Sequence, residues 1–429
     1  MISIGTPYIT KSDKAAYLRA KVHISDNTAK RYLQKTSTLI NCAWLTEVDY
    51  PPAIWNDPDC NLWFSVPAEY ADHLCCERSN AFVIVMLWYA MVTGSDISFE
   101  APISERLYNG LTQNLIPALM KDTDINISLK GPITSEKLPG ENGVVCGMSC
   151  GVDSMYTLNC YTSDNAPKNE KLTHLMYGEL NYLFPRVTLP YDIDEIFDKL
   201  KRVNSKIIKN AEHTAQRHNM PFLHFTSNLD RDFYRGGYIY TAMYRYLACV
   251  LAMEKLFSVY IISSSGHVDR LEEVSLFSPT QHYENMICTN CGTEKLKYMI
   301  SDHTTRIEKL KKIADNADFK DFANVCFDTD ESTLNCGVCF GCMKTIIPLD
   351  ILGKLNGFER VFDTAKYYAD RQNIFERLIL FSWRPEASAA RESVHQILEL
   401  SKELDNEAGR EFVDVYNKLQ AHLKNSEIF

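Results

Sequence analysis

Two short stretches of this chain hold residue types whose spacing could do chemistry. Residues 326–342 place cysteines at Cys326, Cys336, Cys339 and Cys342, as two interlocked Cys-x2-Cys turns with a glycine inside each and one cysteine upstream across a gap of nine residues. The turns bring three thiolates round one point, and Cys326 can return as the fourth. Four thiolates suit a closed tetrahedral zinc site, and they suit an iron–sulfur cluster as well. The second stretch is Ser149-Cys150-Gly151-Val152-Asp153-Ser154, entered from the apolar run Val144–Met148 and followed by the helical-looking Met155-Tyr156-Thr157-Leu158. Small side chains at a strand-to-helix corner let backbone N–H groups reach an anion, and the positive end of the helix points at it. The Gly-Lys-Ser/Thr ending of a P-loop, which would hold β and γ phosphates, is absent.

These groups need a scaffold, and the pattern after residue 140 supplies one. A strand at 143–148 feeds the loop and a helix at 152–161. A strand at 173–177 precedes a long helix near 194–219, a strand at 222–226 leads to a helix at 237–256, and a strand at 259–263 closes the set. Strands joined by helical crossovers predict an α/β fold with a doubly wound, mainly parallel sheet that binds ligands at the carboxyl ends of its strands. Residues 1–140 read as a separate α+β domain, with strands at 61–66, 96–100 and 124–129, a buried helix at 80–92 and Ser104 as an N-cap. The turn-rich stretch 131–143 reads as a linker. Amphipathic helices at 394–404 and 409–424 follow in a C-terminal segment, 363–429, expected to pack on the core or on a second copy of the chain in a homodimer.

The composition sets limits. A formal charge of −10 argues against non-specific binding to duplex nucleic acid. The longest apolar run, Ala81–Val92, falls short of the roughly 20 residues that a bilayer span needs. With no secretion signal, a cytoplasmic location is expected, and the fourteen cysteines read as thiols and metal ligands rather than disulfides. Cys288 and Cys291 offer only two ligands. They are either free thiols, a redox pair, or half of a second metal site completed by Cys339 and Cys342 or by His282 or His303.

The Ser-x-Gly-x-Asp-Ser loop resembles the signature of the ATP pyrophosphatases, which split ATP between the α and β phosphates to adenylylate a substrate. Together with the four-cysteine knuckle it looks like the 7-cyano-7-deazaguanine synthase (QueC-like) family. The resemblance covers about residues 143–362. The extra N-terminal and C-terminal regions are closer to the longer, divergent members found in bacterial anti-phage defence systems. What the resemblance implies is a Rossmann-like ATP-pyrophosphatase domain with a zinc knuckle, working with ATP, Mg²⁺ and Zn²⁺ as an AMP-forming ligase. Its substrate would be a 7-carboxy-7-deazaguanine-like carboxylate, and its acceptor ammonia, giving an amide and then a nitrile, or the amine of a protein partner. Residues 149–154 would bind ATP, with Ser149 and Ser154 at the pyrophosphate and Asp153 placing magnesium or the loop itself.

The chain departs from that family at Cys150, where a glycine is usual and where a side chain would restrict the backbone or crowd a phosphate. It departs again at Arg235, which stands near the position of a Pro-Gly-Arg-Asn stretch and reads either as a contact to phosphate or the substrate carboxylate or as a surface arginine. Arg306 and Lys309, one turn apart on a helix, are candidates for phosphate or carboxylate, or else part of a solvated face. Lys344 is either a substrate contact or a solvated charge, and His267 a base at the lip of the site. Two other readings stay open: another ATP pyrophosphatase, such as a tRNA-modifying enzyme, or a nucleotide-binding scaffold disabled by Cys150.

Overall fold

The computed structural model describes residues 1–31, 61–121, 123–180, 193–229, 238–264, 281–301, 304–326, 335–384 and 387–425. They belong to two compact units that interleave along the chain. The first is Met1–Gly147, Asp164–Tyr182 and Asn219–His303; the second is Met148–Ser163, Leu183–His218 and Thr304–Phe429. The boundaries expected at 140 and 362 do not separate these units.

The first unit is built on a sheet. Along the chain its strands are β1 (Ile2–Ile4), β2 (Tyr8–Lys11), β3 (Ala15–Ile24), β4 (Asn61–Pro67), β5 (Ile97–Phe99), β6 (Ile103–Ser104), β7 (Leu129–Lys130), β8 (Ile133–Thr134), β9 (Gly143–Gly147), β10 (His174–Glu179), β11 (Phe222–Ser227), β12 (Phe257–Ile262) and β13 (Lys297–Ile300). Among the described residues, eleven strands form one sheet in the order β13-β12-β9-β10-β11-β4-β3-β1-β5-β7, with β2 beside β3. β6 and β8 pair separately, and β8 lies inside the stretch read as a linker. The ladders from β13 to β11 are parallel, as are β1/β5 and β5/β7, whereas β11/β4, β4/β3, β3/β2 and β3/β1 are antiparallel. The mostly parallel α/β sheet is thus present, and it runs on past residue 140: Thr226 of β11 pairs with Ser65 of β4, so the N-terminal strands extend this sheet. The expected strand at 124–129 is only the two-residue β7, and β13 is an edge strand that the alternation did not reveal.

Burial follows strand type. β9 reads Gly-Val-Val-Cys-Gly and is buried almost throughout, as a strand covered on both faces must be, while β3 alternates between buried and accessible positions. Helix α1 (Asn80–Thr93) is buried along its whole length, in keeping with its apolar character on every side. It ends at Gly94, whose φ of 62° closes the helix in the left-handed region. The crossovers are helical: α2 (Val152–Thr162) after β9, α3 (Ile193–Arg217) after β10, α4 (Tyr238–Ala252) after β11 and α5 (Gln281–Asn290) after β12. Helix α4 packs on α1. Strand order turns back at β9, since β10 and β11 lie on one side of it and β12 on the other.

The second unit is helical. It holds α2 and α3 with α6 (Arg306–Ile313), α7 (Ala317–Phe322), α8 (Phe340–Ile351), α9 (Thr364–Ala369), α10 (Arg371–Ser382), α11 (Ser388–Leu404) and α12 (Glu407–Asn425). Helix α6 packs on α2, and α7 on α3. Asp318 of α7 accepts from Arg217 at 2.9 Å and lies 2.7 Å from His218 Nε2. The amphipathic C-terminal helices turn Phe375, Ile397 and Phe412 inward and pack with α8. No helix among the described residues is long and apolar enough to cross a membrane.

Candidate functional site

The loop leaving β9 is held mostly by its own atoms. Ser149 Oγ and Ser154 Oγ lie 3.2 Å apart, Gly151 N donates to Ser149 Oγ at 3.3 Å, and Ser154 Oγ donates to the Gly151 carbonyl at 3.1 Å. Both hydroxyls therefore fasten the turn. Gly151 caps α2 with no side-chain hydrogen bond, so no capping side chain competes with an anion for the first-turn N–H groups. Cys150 takes φ 60°, a conformation that costs a residue with a Cβ roughly 1–2 kcal/mol. Its carbonyl is fixed by Asn324 N at 2.8 Å. Its thiol is fully buried and hydrogen-bonded to Thr214 of α3, and burial pushes it up to about 12. Of the two effects expected of a side chain here, the backbone restriction is present. The thiol itself turns toward Thr214 of α3.

Asp153, in the first turn of α2, is the centre of a charge cluster. Lys309 Nζ donates to its Oδ1 at 2.8 Å, and Arg306 Nη1 lies 3.6 Å from its Oδ2. Thr305 starts α6 as its N-cap, accepting from Glu308 N, which sets Arg306 and Lys309 one turn apart on the face toward α2. The solvated-face reading of these two residues is therefore wrong: the Lys309 side chain is 1% exposed and that of Arg306 17%. Burial by itself would raise the Asp153 carboxyl, but Lys309 and then Arg306 outweigh it and hold it below the usual carboxylate range. Lys344, half-buried on α8 with its ammonium 4.9 Å from the Phe340 ring centre, adds a third cation. Burial first, then Arg306, pushes Lys344 down to about 7. Even without a full charge on Lys344, positive charge exceeds negative here. Arg306 Nε is also buried with no hydrogen-bond partner.

The four cysteines of the knuckle converge, with all four sulfurs within 4.8 Å of one another. Cys336 Sγ lies 3.9 Å from Cys342 Sγ, and Cys339 Sγ lies 3.9 Å from Cys326 Sγ and 3.4 Å from Cys342 Sγ. The edge of a tetrahedron with 2.3 Å metal–sulfur bonds is about 3.8 Å, so the group can hold one metal ion such as zinc. Backbone N–H groups of Cys336 and Cys339 donate to the sulfurs of Cys326 and Cys336, at 3.4 and 3.3 Å. Gly337, at φ 76°, makes the first turn of the knuckle. Asn335 clamps the two arms: its Oδ1 accepts from Val325 N and Cys326 N, and its Nδ2 donates to the carbonyls of Ala323 and Val361.

Ser149, Asp153, Ser154, Arg306 and Lys309 thus belong to one neighbourhood of the second unit, while Arg235, His267 and His303 lie outside the described residues. Cys288 and Cys291 are buried in the first unit and form no disulfide, and among the described residues the knuckle cysteines form the one group of three or more potential ligands. Sequence reasoning missed Asn335, Thr345 and the ring of Tyr156, whose hydroxyl accepts from Lys312 at 3.1 Å. Only Lys312 carried a signal, a cation that repeats the three-residue spacing of Arg306 and Lys309. The chain matches no protein-family model, no curated protein and no solved structure.

Proposed function

We propose that this protein is an ATP-dependent, AMP-forming ligase that adenylylates a 7-carboxy-7-deazaguanine-like carboxylate and passes it to an amine, in an anti-phage defence setting. One observation carries the reading: Arg306, Lys309 and Lys344 gather more positive charge than Asp153 offsets, in the first turn of the helix that leaves the Ser-x-Gly-x-Asp-Ser loop. Such an excess, with the orphaned Arg306 Nε, calls for an anion of high charge.

In the proposed reaction a carboxylate oxygen of the substrate attacks the α-phosphorus of ATP, and the bond to the bridging oxygen breaks to release pyrophosphate. The amine nitrogen then attacks the acyl carbon, loses a proton and expels AMP. Ammonia as acceptor gives the amide; a second ATP then adenylylates the amide oxygen with release of pyrophosphate and a proton, and loss of AMP and the remaining N–H proton leaves the nitrile, whereas a protein amine gives a conjugate. Charge grows on the departing pyrophosphate, and Lys309, Arg306, Lys344 and the N–H groups opening α2 are the groups to stabilise it. Asp153 holds Lys309 and Arg306 in position. Mg²⁺ supplies counter-charge to the polyphosphate when bound. Zinc on Cys326, Cys336, Cys339 and Cys342 would fix the start of α8. Zinc is favoured over an iron–sulfur cluster because a cluster spreads its thiolates over several irons.

The test is incubation with ATP, 7-carboxy-7-deazaguanine and either ammonia or lysate proteins. AMP and pyrophosphate should appear together, and the product mass identifies the acceptor. ADP and phosphate alone would overturn the proposal. Metal analysis should find zinc; iron with visible absorbance would reverse that assignment.

A further inference from the structure

We infer that Thr345 couples the metal knuckle to the anion cluster, so that metal and anion bind cooperatively. The inference rests on reading Arg306, Lys309 and Lys344 as an anion site. Cys339 is the N-cap of α8 and Cys342 lies in its first turn, so the metal-binding turn and the start of the helix are the same backbone. Fully buried Thr345 donates through Oγ1 to the carbonyl of Gly341, between the two cysteines, at 3.0 Å. The same oxygen accepts from Arg306 Nη2 at 3.0 Å. Arg306 and Lys309 then meet Asp153 at the head of α2.

A threonine that bonds back to a carbonyl four residues earlier is common in helices. Here its oxygen also accepts from a buried guanidinium whose Nε has no partner. With the thiolates gathered on a metal, the Gly341 carbonyl is fixed, the Thr345 hydroxyl is oriented, and Arg306 is held ready for an anion. Without the metal nothing ties the four sulfurs, which lie within 4.8 Å of one another, to a common centre, and that support loosens. Linkage requires the reverse as well: an anion that holds Arg306 tightens metal binding by the factor through which metal tightens the anion, and with metal entry unchanged that factor shows as slower release.

The experiment uses full-length, metal-loaded protein. Zinc transfer to a chromogenic chelator is timed with and without pyrophosphate, whose binding is measured separately by calorimetry, in the wild type, Thr345→Val and Thr345→Ser. Pyrophosphate should slow zinc release about tenfold in the wild type and in Thr345→Ser, within the usual range for such coupling. In Thr345→Val, which keeps the shape but loses the hydroxyl, the effect should fall below about twofold while zinc content is unchanged. Pyrophosphate that binds the wild type without altering zinc release overturns the coupling, and that comparison needs no variant. Full coupling retained in Thr345→Val overturns the role of Thr345. Failure of pyrophosphate to bind the wild type overturns the anion site itself.

Discussion

Replacing Lys309 by methionine removes an ammonium 2.8 Å from Asp153 and keeps a stem of similar length where the native side chain is 1% exposed. At an effective dielectric constant of 20, unit charges at that separation attract by about 6 kcal/mol, most of it offset by desolvation. Removing one member of a buried pair costs ~3–5 kcal/mol. Asp153 retains Arg306 at 3.6 Å and is 23% exposed, so Lys309→Met belongs below that range, at about 2 kcal/mol. Asp153→Asn leaves Lys309 and Arg306 facing each other without their carboxylate and should cost about 3–4 kcal/mol. The double variant should cost about 3–4 kcal/mol rather than the sum, giving a coupling near 2 kcal/mol. Native-state hydrogen exchange of α2 and α6 amides reads this opening without requiring the whole chain to unfold in one step. A 2 kcal/mol loss corresponds to roughly 30-fold faster exchange. Single effects that add to within about 0.5 kcal/mol would refute the pairing argument.

At position 150, glycine removes the backbone cost of φ 60° but gives up a buried thiol and adds chain entropy. Cys150→Gly should therefore stay within about 1 kcal/mol of the wild type in thermal unfolding and keep AMP release, whereas a gain of activity from zero would restore the disabled-scaffold reading. Two glycines should behave differently on mutation to alanine. At Gly337 a Cβ meets nothing within 4 Å, so only φ 76° resists, and zinc should be retained but released about fivefold faster for a loss near 1 kcal/mol. At Gly110 a Cβ would lie 2.1 Å from the Asn290 carbonyl oxygen, and soluble yield should collapse. Asn335→Ala strands two buried N–H groups and the Ala323 carbonyl, while the Val361 carbonyl keeps the backbone N–H of residue 335, and should cost about 2–4 kcal/mol, read as a lower melting temperature and lost zinc.

Glu254 gives a pH prediction. Burial raises its carboxyl despite hydrogen bonds from Thr293 and Asn80. Its contribution is complete below the unfolded pKa of about 4.3 and declines as pH rises through the higher folded value. Glu254→Gln, which cannot ionise, should gain stability relative to the wild type between pH 4 and 8. A pH-independent difference in unfolding free energy would contradict this.

Local pattern sufficed where a feature is closed within a few residues. Three of the knuckle cysteines lie within seven residues, so their spacing alone dictates that they converge. The loop and the start of α2 follow from small residues between an apolar run and a helical one, and the burial of α1 from apolar side chains on every face. Tertiary structure decided what depends on partners far along the chain. The β4/β11 ladder joins residues more than 150 apart, and each of those strands satisfies its backbone whichever neighbour it takes, so the pattern could not tell a separate N-terminal sheet from an extension. Arg306 and Lys309 repeat as they would on a solvated helix; only the packing of α6 on α2 buries them against Asp153, where the low dielectric gives the charges their strength. The backbone at Cys150, the four bonds of Asn335 and the contact from Thr345 to Arg306 are of the same kind, since each residue is polar or small enough to stand anywhere until a distant group meets it.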